Sequence, residues 1–427
     1  MKLEKQNTFL QLHILTAYPP SNLNRDESGM PKTAKFGSVN RGRISSQCNK
    51  YWYRNGDVFG SLIDYKTKKS LRTRKYVSDI FAPCLEEHGV PDQGIRVWSN
   101  DVFNLLGGKV VEDSSDAGTE NLDETEPEED AGKWSEFSHK QVIVINAGEV
   151  KALERIAADI AAYVKKEEHP PYIDEIEKLR KEAASKKEKN EKAEKGNMKR
   201  KSQAKKNNVS DALANQMNTY AKDYCRSIDT SLFGRMSASR PEWNMEAACQ
   251  VAHSFTVHPI VNEVDYFTAV DDINKRGAAL VSSSGFNSGV YYLYVCLDTK
   301  TLLENLKDPK LAKDVVEALV YSLVSVSPRG KQNSHASRAL ASFVLAEKGP
   351  IQPRSLAAAF LKPIRSEDVV NDSIEALKKV KTDFDSAYSF AKPDGKAGEY
   401  IFDVHERVGS CEKLAEFCRD LPELNKE

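Results

Sequence analysis

Apolar and polar positions along this chain switch between a period of two and a period near 3.6, and the switches mark out its elements. Phe9 to Thr16, FLQLHILT, is a short apolar run closed by a Pro pair, which predicts a central strand buried on both faces. The stretch that follows, Tyr18 to Arg54, opens with PPSNLNRDESGMP, crowded with Pro, Gly, Asn, Asp and Ser. That composition predicts a loop whose backbone N–H groups and short polar side chains are displayed for a ligand. RISSQCNKYWYR then reads as a helix start, with Ser45 or Ser46 as N-cap and Lys50 and Arg54 four apart on one face.

Farther on, Ser70 to Leu106 predicts helical pieces broken at Pro83 and Pro91. QVIVINAGEV is β-branched and turns into ALERIAADIAAYVKKEE, a strand followed by a helix. Ser210 to Ile228 has helical spacing at Leu213, Met217, Tyr220, Ala221 and Tyr224. CQVAHSFTVHPI alternates, and with DTSLFGRMSASRPEW before it predicts a projecting hairpin. Val290 to Leu297 has the makeup of a central strand, and Leu311 to Val326, Asp372 to Phe390 and Ser410 to Leu421 are helical patterns. Strands and helices mixed in this way predict an α+β fold with insertions.

Charge changes the picture locally. The formal net charge is −1, from 62 basic and 63 acidic residues, so nucleic-acid binding has to be argued from clusters. Glu112 to Asp130 holds ten Asp or Glu and no Lys or Arg, and reads as a solvated loop or a partner-docking arm. Lys165 to Lys206 holds fifteen Lys or Arg against nine Asp or Glu, ending in KGNMKRKSQAKK. Tyr18 to Arg54 carries seven Lys or Arg against Asp26 and Glu27 alone. A loop with Arg25, Lys32, Arg41 and Arg43 leading to a helix N-terminus can track a phosphate backbone, giving affinity without base preference. Composition alone reads it equally as a solvated basic loop before an amphipathic helix.

The seven cysteines are scattered and odd in number, with no C-x-x-C pair, as expected of thiols in a reducing cytosol. No apolar run reaches the length of a membrane span, and the N-terminus lacks a signal-peptide core, so a cytoplasmic location without membrane contact is expected. No catalytic constellation emerges. His253 and His258 lie five apart on a strand and point to opposite faces, Asp271 and Asp272 do not converge, and no phosphate-binding glycine loop or nucleophile elbow occurs. Neither a metal site nor a cofactor is expected. Gly234, Arg235 and Met236 offer a hinge, a cation and an apolar wedge of the kind that unstacks bases, or ordinary hairpin-tip packing.

HILTAYPPSNLNRDESGMPKTAKFGSVNRGRISSQ, DTSLFGRM, AHSFTVH, DYFTAVDDI and GFNSGVYYLYVCLD together resemble the CasC family, the backbone subunit of the type I-E CRISPR Cascade complex in the RAMP superfamily, with a weaker match at GKQNSHA. The resemblance implies an RNA-recognition-motif-like (ferredoxin-like) palm over 1–55 and 225–427, helical fingers over 56–224, and a β-hairpin thumb at 232–261. It implies a non-catalytic subunit that stacks head to tail with copies of itself along a guide crRNA. Its bases stay free for a target DNA strand, beside CasA-, CasB-, CasD- and CasE-like subunits. By the same resemblance Asn24, Arg25, Lys32, Arg41, Arg43, Ser45, Ser46, Gln47, Lys50, Arg54, Lys331 and Gln332 contact crRNA, and Arg235 with Met236 forms the thumb tip. Cys48-Asn49 and Tyr51 depart from the family pattern, and the two charged insertions have no counterpart in it. A guide-RNA processing endoribonuclease of the same superfamily is the alternative.

Overall fold

The computed structural model describes residues 8–108, 132–193, 208–224, 226–273, 278–388 and 398–421. The acidic tract 112–130 and the Lys-rich 195–206 lie outside the described residues. The strands are β1 (Phe9–Ser21), β2 (Thr33–Phe36), β3 (Val39–Ile44), β4 (Leu71–Thr73), β5 (Ile143–Ile145), β6 (Cys249–Val251), β7 (Ser254–Thr256), β8 (Glu263–Val270), β9 (Ala278–Asp298), β10 (Ala341–Gly349) and β11 (Gly398–Asp403). The α-helices are α1 (Ser46–Asn55), α2 (Asp57–Leu62), α3 (Ala82–Glu87), α4 (Asp92–Leu105), α5 (Ala147–Val164), α6 (Pro171–Ala193), α7 (Asn208–Ala221), α8 (Ile228–Phe233), α9 (Thr299–Leu306), α10 (Pro309–Ser325), α11 (Gln332–His335), α12 (Val369–Ala387) and α13 (Cys411–Arg419). The chain divides into two units: 1–66 with 231–233 and 246–427, and 67–230 with 234–245.

The first unit is built on one antiparallel sheet ordered β11-β10-β1-β9-β7-β3-β2, with β6 and β8 also paired to β9. β1 lies between β10 and β9, and this central place explains why Leu10 to Leu15 is buried on both faces. Leu10, Leu12 and Ile14 bury on one face and Gln11, His13 and Leu15 on the other. Leu15, Tyr292, Phe343, Leu356, Phe360, Ile374 and Leu377 form one continuous core, so α12 covers that face.

Polar groups under α12 are paired in series. The Tyr292 hydroxyl lies 2.9 Å from His13 Nδ1, and His13 Nε2 lies 3.3 Å from Glu347 Oε2. Arg354 reaches Glu347 at 2.9 Å and Asp385 of α12 at 2.5 Å, and Lys381 meets Asp385 and Glu399 at 2.7 and 2.9 Å. Burial lowers the His13 pKa, so its Nε2–H donates to Glu347 and its Nδ1 accepts from Tyr292. The unfolded chain takes up a proton at about pH 6.5 that the folded chain does not. Stability is therefore expected to fall as pH drops below about 6.5. Thermal melting at pH 7.5 and 5.5 checks this, and His13→Gln should narrow the gap between the two midpoints.

The second unit is mainly helical. α5 buries Leu153, Ile156, Ala157, Ile160 and Ala161, the i, i+3, i+4 stripe read from its sequence, against Phe81, Trp98, Val102, Leu213 and Met217. A capping box closes its start, with the Asn146 N–H donating to Glu149 Oε2 at 2.9 Å. Arg180 stacks on Trp98 at 3.9 Å and pairs with Asp101, tying α6 to α4.

The hairpin expected over 232–261 does not form. Arg235 bridges to Met245 in the second unit, whereas β6 and β7 both pair with β9 inside the main sheet. The projecting hairpin is instead β8–β9, with Glu263 opposite Phe286 and Ala269 opposite Leu280. Every residue of β8 is exposed, including Val264, Tyr266, Phe267 and Val270.

Candidate nucleic-acid interface

Much of the expected loop after β1 is structured. Buried Asn22 donates from Nδ2 to the Gly29 and Gly285 carbonyls at 3.0 and 2.7 Å, anchoring the segment to β9. Asp26 Oδ1 accepts from the Ser28 N–H, the Ser28 hydroxyl and the Met30 N–H at 3.0, 2.7 and 3.0 Å. These bonds, Ser28 first, hold its carboxyl below the usual range, and Gly29 takes the left-handed φ of +81° that the turn requires. TAKF and VNRGRI then pair as β2 and β3, where the polar composition had suggested open loop.

Hydrogen bonds gather the expected contact residues. The Lys32 N–H donates to the Asn24 carbonyl and the Arg43 N–H to the Lys32 carbonyl, both at 2.8 Å. Asn24 Oδ1 accepts the Ser45 N–H at 2.9 Å, fixing the residue that caps α1. Ser45 has extended backbone, and its hydroxyl accepts the Cys48 N–H at 3.2 Å. His253 Nδ1 accepts the Ser46 N–H at 3.2 Å. The helix start is thus partly satisfied from within, and the Gln47 N–H and side chain are what it offers outward. Lys50 is half-buried with Nζ 5.6 Å over the Phe233 ring, and Arg54, one turn on, is half-buried too.

A distant segment joins this group. A Cβ on Gly330 would stand 2.5 Å from the carbonyl oxygens of Asn22 and Leu23, so glycine is required for the two segments to pass. Lys331 follows with φ +47° and its Nζ bonds Ser284 Oγ at the foot of the hairpin. A groove of about 550 Å³ opens there, lined by Pro20, Asp265, Phe267, Ser284, Phe286, Lys331, Ser334 and His335. Asn24, Lys32, Arg43, Ser45, Ser46, Gln47, Lys50, Arg54, Lys331 and Gln332 therefore fall within one unit around the β1 exit and α1. Arg25 is exposed there and bridges to Pro31.

Two expected contacts need correction. Arg41 is fully buried, and its guanidinium donates to the carbonyls of Phe36, Thr256 and Phe360 at 3.3, 3.1 and 2.7 Å. It struts the sheet edge and has no face left for phosphate. Arg235 is 7 % exposed and grips both Glu149 oxygens from one nitrogen at 2.5 and 2.7 Å, 5.4 Å from the Trp243 ring. It cannot be a tip; it fixes the backbone from which Met236, 85 % exposed, projects.

His253 and His258 serve separate backbone groups. His258 lies 2.8 Å from the Pro259 carbonyl through Nδ1 and accepts the Val290 N–H through Nε2 at 3.2 Å. Among the described residues no three His, Cys, Asp or Glu side chains are placed to hold a metal ion, and no helix is long and apolar enough to cross a membrane. Burial pushes the Cys48 thiol up to about 11 and Cys249 to about 12, so neither is a nucleophile at neutral pH. The residues that sequence reasoning missed are the exposed apolar positions of β8; EVDYFTAV has strand composition, but nothing local shows that it stands in solvent.

No curated protein matches the chain. Solved structures do. A chain of a "CRISPR RNA-guided surveillance complex, pre-nicking" superposes with a TM-score of 0.67 at 26 % identity, over 94 % of each chain. A chain of a "CRISPR RNA-guided surveillance complex" superposes with a TM-score of 0.59 at 21 % identity, over 96 % of this chain and 99 % of that one. The model of the CT1975-like protein family spans residues 10–417, and the chain belongs to that family.

Proposed function

We propose that this chain is the backbone subunit of a Cascade-type CRISPR surveillance complex, of the type I-E CasC kind, and that it binds guide crRNA without cutting it. The observation that carries the reading is the cationic segment 24–54, held by Asn24 to the cap of α1 and joined at 330–332 by Lys331. Its cations and amide groups suit ribose-phosphate, and contacts of that class leave bases free to pair with a target DNA strand. The first unit is then the RNA-recognition-motif-like palm, the second the fingers, and the β8–β9 hairpin the thumb that reaches a neighbouring copy. Arg25, Lys32, Arg43, Ser46, Gln47, Lys50 and Arg54 are the proposed RNA contacts, with Met236 as an apolar wedge.

Purified protein mixed with repeat-spacer RNA is expected to retard it in a gel and leave its length unchanged. Discrete cleavage products would favour the processing endoribonuclease instead. The thumb assignment carries its own expectation. β8 packs no side chain into a core, so replacing 266–283 by a short Gly-Ser turn, which keeps Ser284 and Gly285, should move the melting midpoint by only a few degrees. The same change should leave binding of a short RNA intact and abolish the joining of several copies on a long one, read by sedimentation.

A further inference from the structure

The first N–H of α1, part of the proposed phosphate seat, is covered by a histidine. The Ser46 N–H donates to His253 Nδ1 at 3.2 Å. A backbone amide has its hydrogen fixed, so Nδ1 is the acceptor and the proton of the neutral ring sits on Nε2. His253 is exposed, and its Nε2–H has no partner among the described residues. Other N–H groups of this turn are met locally, Ser45 by Asn24 Oδ1 and Cys48 by the Ser45 hydroxyl. Ser46 differs in being closed by a side chain 207 residues away that can change its charge.

The surroundings keep that ring neutral in the free protein. Burial, and then the Arg43 guanidinium of β3, lower the His253 pKa. From α1 it meets the neutral Ser46, while Lys50 of that helix acts on Cys249 and Lys32 on Cys48. The neighbouring residue, where β7 starts, is the neutral Ser254. Arg43 itself carries an Nε–H that is out of solvent without a hydrogen-bond partner. Buried donors are almost always paired, so an acceptor from a ligand suits this spot.

A phosphodiester here changes the balance. Its negative charge favours the imidazolium, yet an imidazolium has hydrogen on both nitrogens and cannot accept the Ser46 N–H. The ring must therefore turn from Ser46 as it charges, which frees an N–H at the positive end of the helix in the same step. We propose that His253 holds the place of one guide phosphodiester at the start of α1, and that on binding the imidazole takes one proton from solvent, releases Ser46 and pairs with the phosphate it admits. The proton goes to Nδ1, and the Ser46 N–H passes from Nδ1 to a phosphate oxygen. The inference rests on the guide-binding reading above and makes that binding proton-linked.

The test measures binding of a uridine RNA 12-mer, in which neither base nor phosphodiester titrates near neutral pH, to the full chain at constant ionic strength. The ring is held below its ordinary range when free and raised by the phosphate when bound. Wild-type affinity is therefore expected to rise roughly three- to fivefold from pH 7.5 to pH 6.0, one linked proton allowing at most about tenfold per unit. Calorimetry in two buffers of different ionisation enthalpy should record uptake of that proton. His253→Gln, whose amide oxygen can still accept the Ser46 N–H but takes no proton, should show a flat profile and no uptake; His13 is present in both proteins and cancels. Should that variant misfold, Ser46→Pro replaces it, since proline suits the first helical position and lacks the N–H. With its histidine released beforehand, that protein should bind more weakly and gain less on acidification. A wild type that binds RNA without a pH gain or proton uptake overturns the linkage and leaves the guide-binding reading standing. An equal gain in His253→Gln overturns it too, because the proton then goes elsewhere. A wild type that binds no RNA overturns both.

Discussion

The double variant Lys50→Glu, Arg54→Glu is expected to lose guide-RNA affinity by at least about 100-fold, because each change replaces an attraction for phosphate by a repulsion. Both residues sit one turn apart on α1, whose start is fixed by the Ser45 cap and by Asn24, so the charges are presented on a rigid element. The neutral pair Lys50→Gln, Arg54→Gln should weaken binding less and lower the salt dependence by roughly 1–1.5 in the slope of log K against log salt. A filter-binding titration at several salt concentrations reads both quantities. Affinity and slope unchanged in the two variants would remove α1 from the interface. A melting curve controls for folding: both side chains are half-buried, and the variants should unfold within a few degrees of wild type.

Arg41→Ala is expected to have the opposite signature. Removing the guanidinium leaves the buried carbonyls of Phe36, Thr256 and Phe360 without donors and opens a cavity at the junction of β2–β3, β7 and the turn before α12. The cost is about 3–5 kcal/mol, a large share of the stability of a typical domain, and it should lower the melting midpoint by roughly 10 °C. RNA affinity measured well below that midpoint should stay close to wild type. An Arg41→Ala protein with wild-type stability and weakened RNA binding would show instead that this guanidinium faces the ligand. Arg41→Lys, able to satisfy part of the set, should fall between.

These two outcomes mark where sequence pattern reaches and where it stops. β1, the cap at Ser45, β9, α5, α10 and α12 were legible because each is set by local period or by a capping residue, and a period survives whatever the rest of the chain does. The β2–β3 hairpin was not: TAKF and VNRGRI are short, and Gly37, Asn40 and Gly42 make them read as loop. Arg41 and Arg43 look alike as letters, yet the former is a strut because of carbonyls 215 and 319 residues away. Arg235 was misread for the same reason, since Glu149 is 86 residues distant. The β8–β9 hairpin was missed because apolar residues argue for burial, and exposure depends on what the fold leaves uncovered.

The proposed role comes down to whether several copies hold one guide while its bases stay available. Purified protein should be mixed with excess-length guide RNA, sized by analytical ultracentrifugation, and then offered complementary single-stranded DNA carrying a fluorophore. The expected result is a particle with several copies on one RNA that captures the complementary DNA and ignores a scrambled strand. A complex that stops at one copy per RNA, or one in which bound guide no longer pairs with its complement, would contradict it.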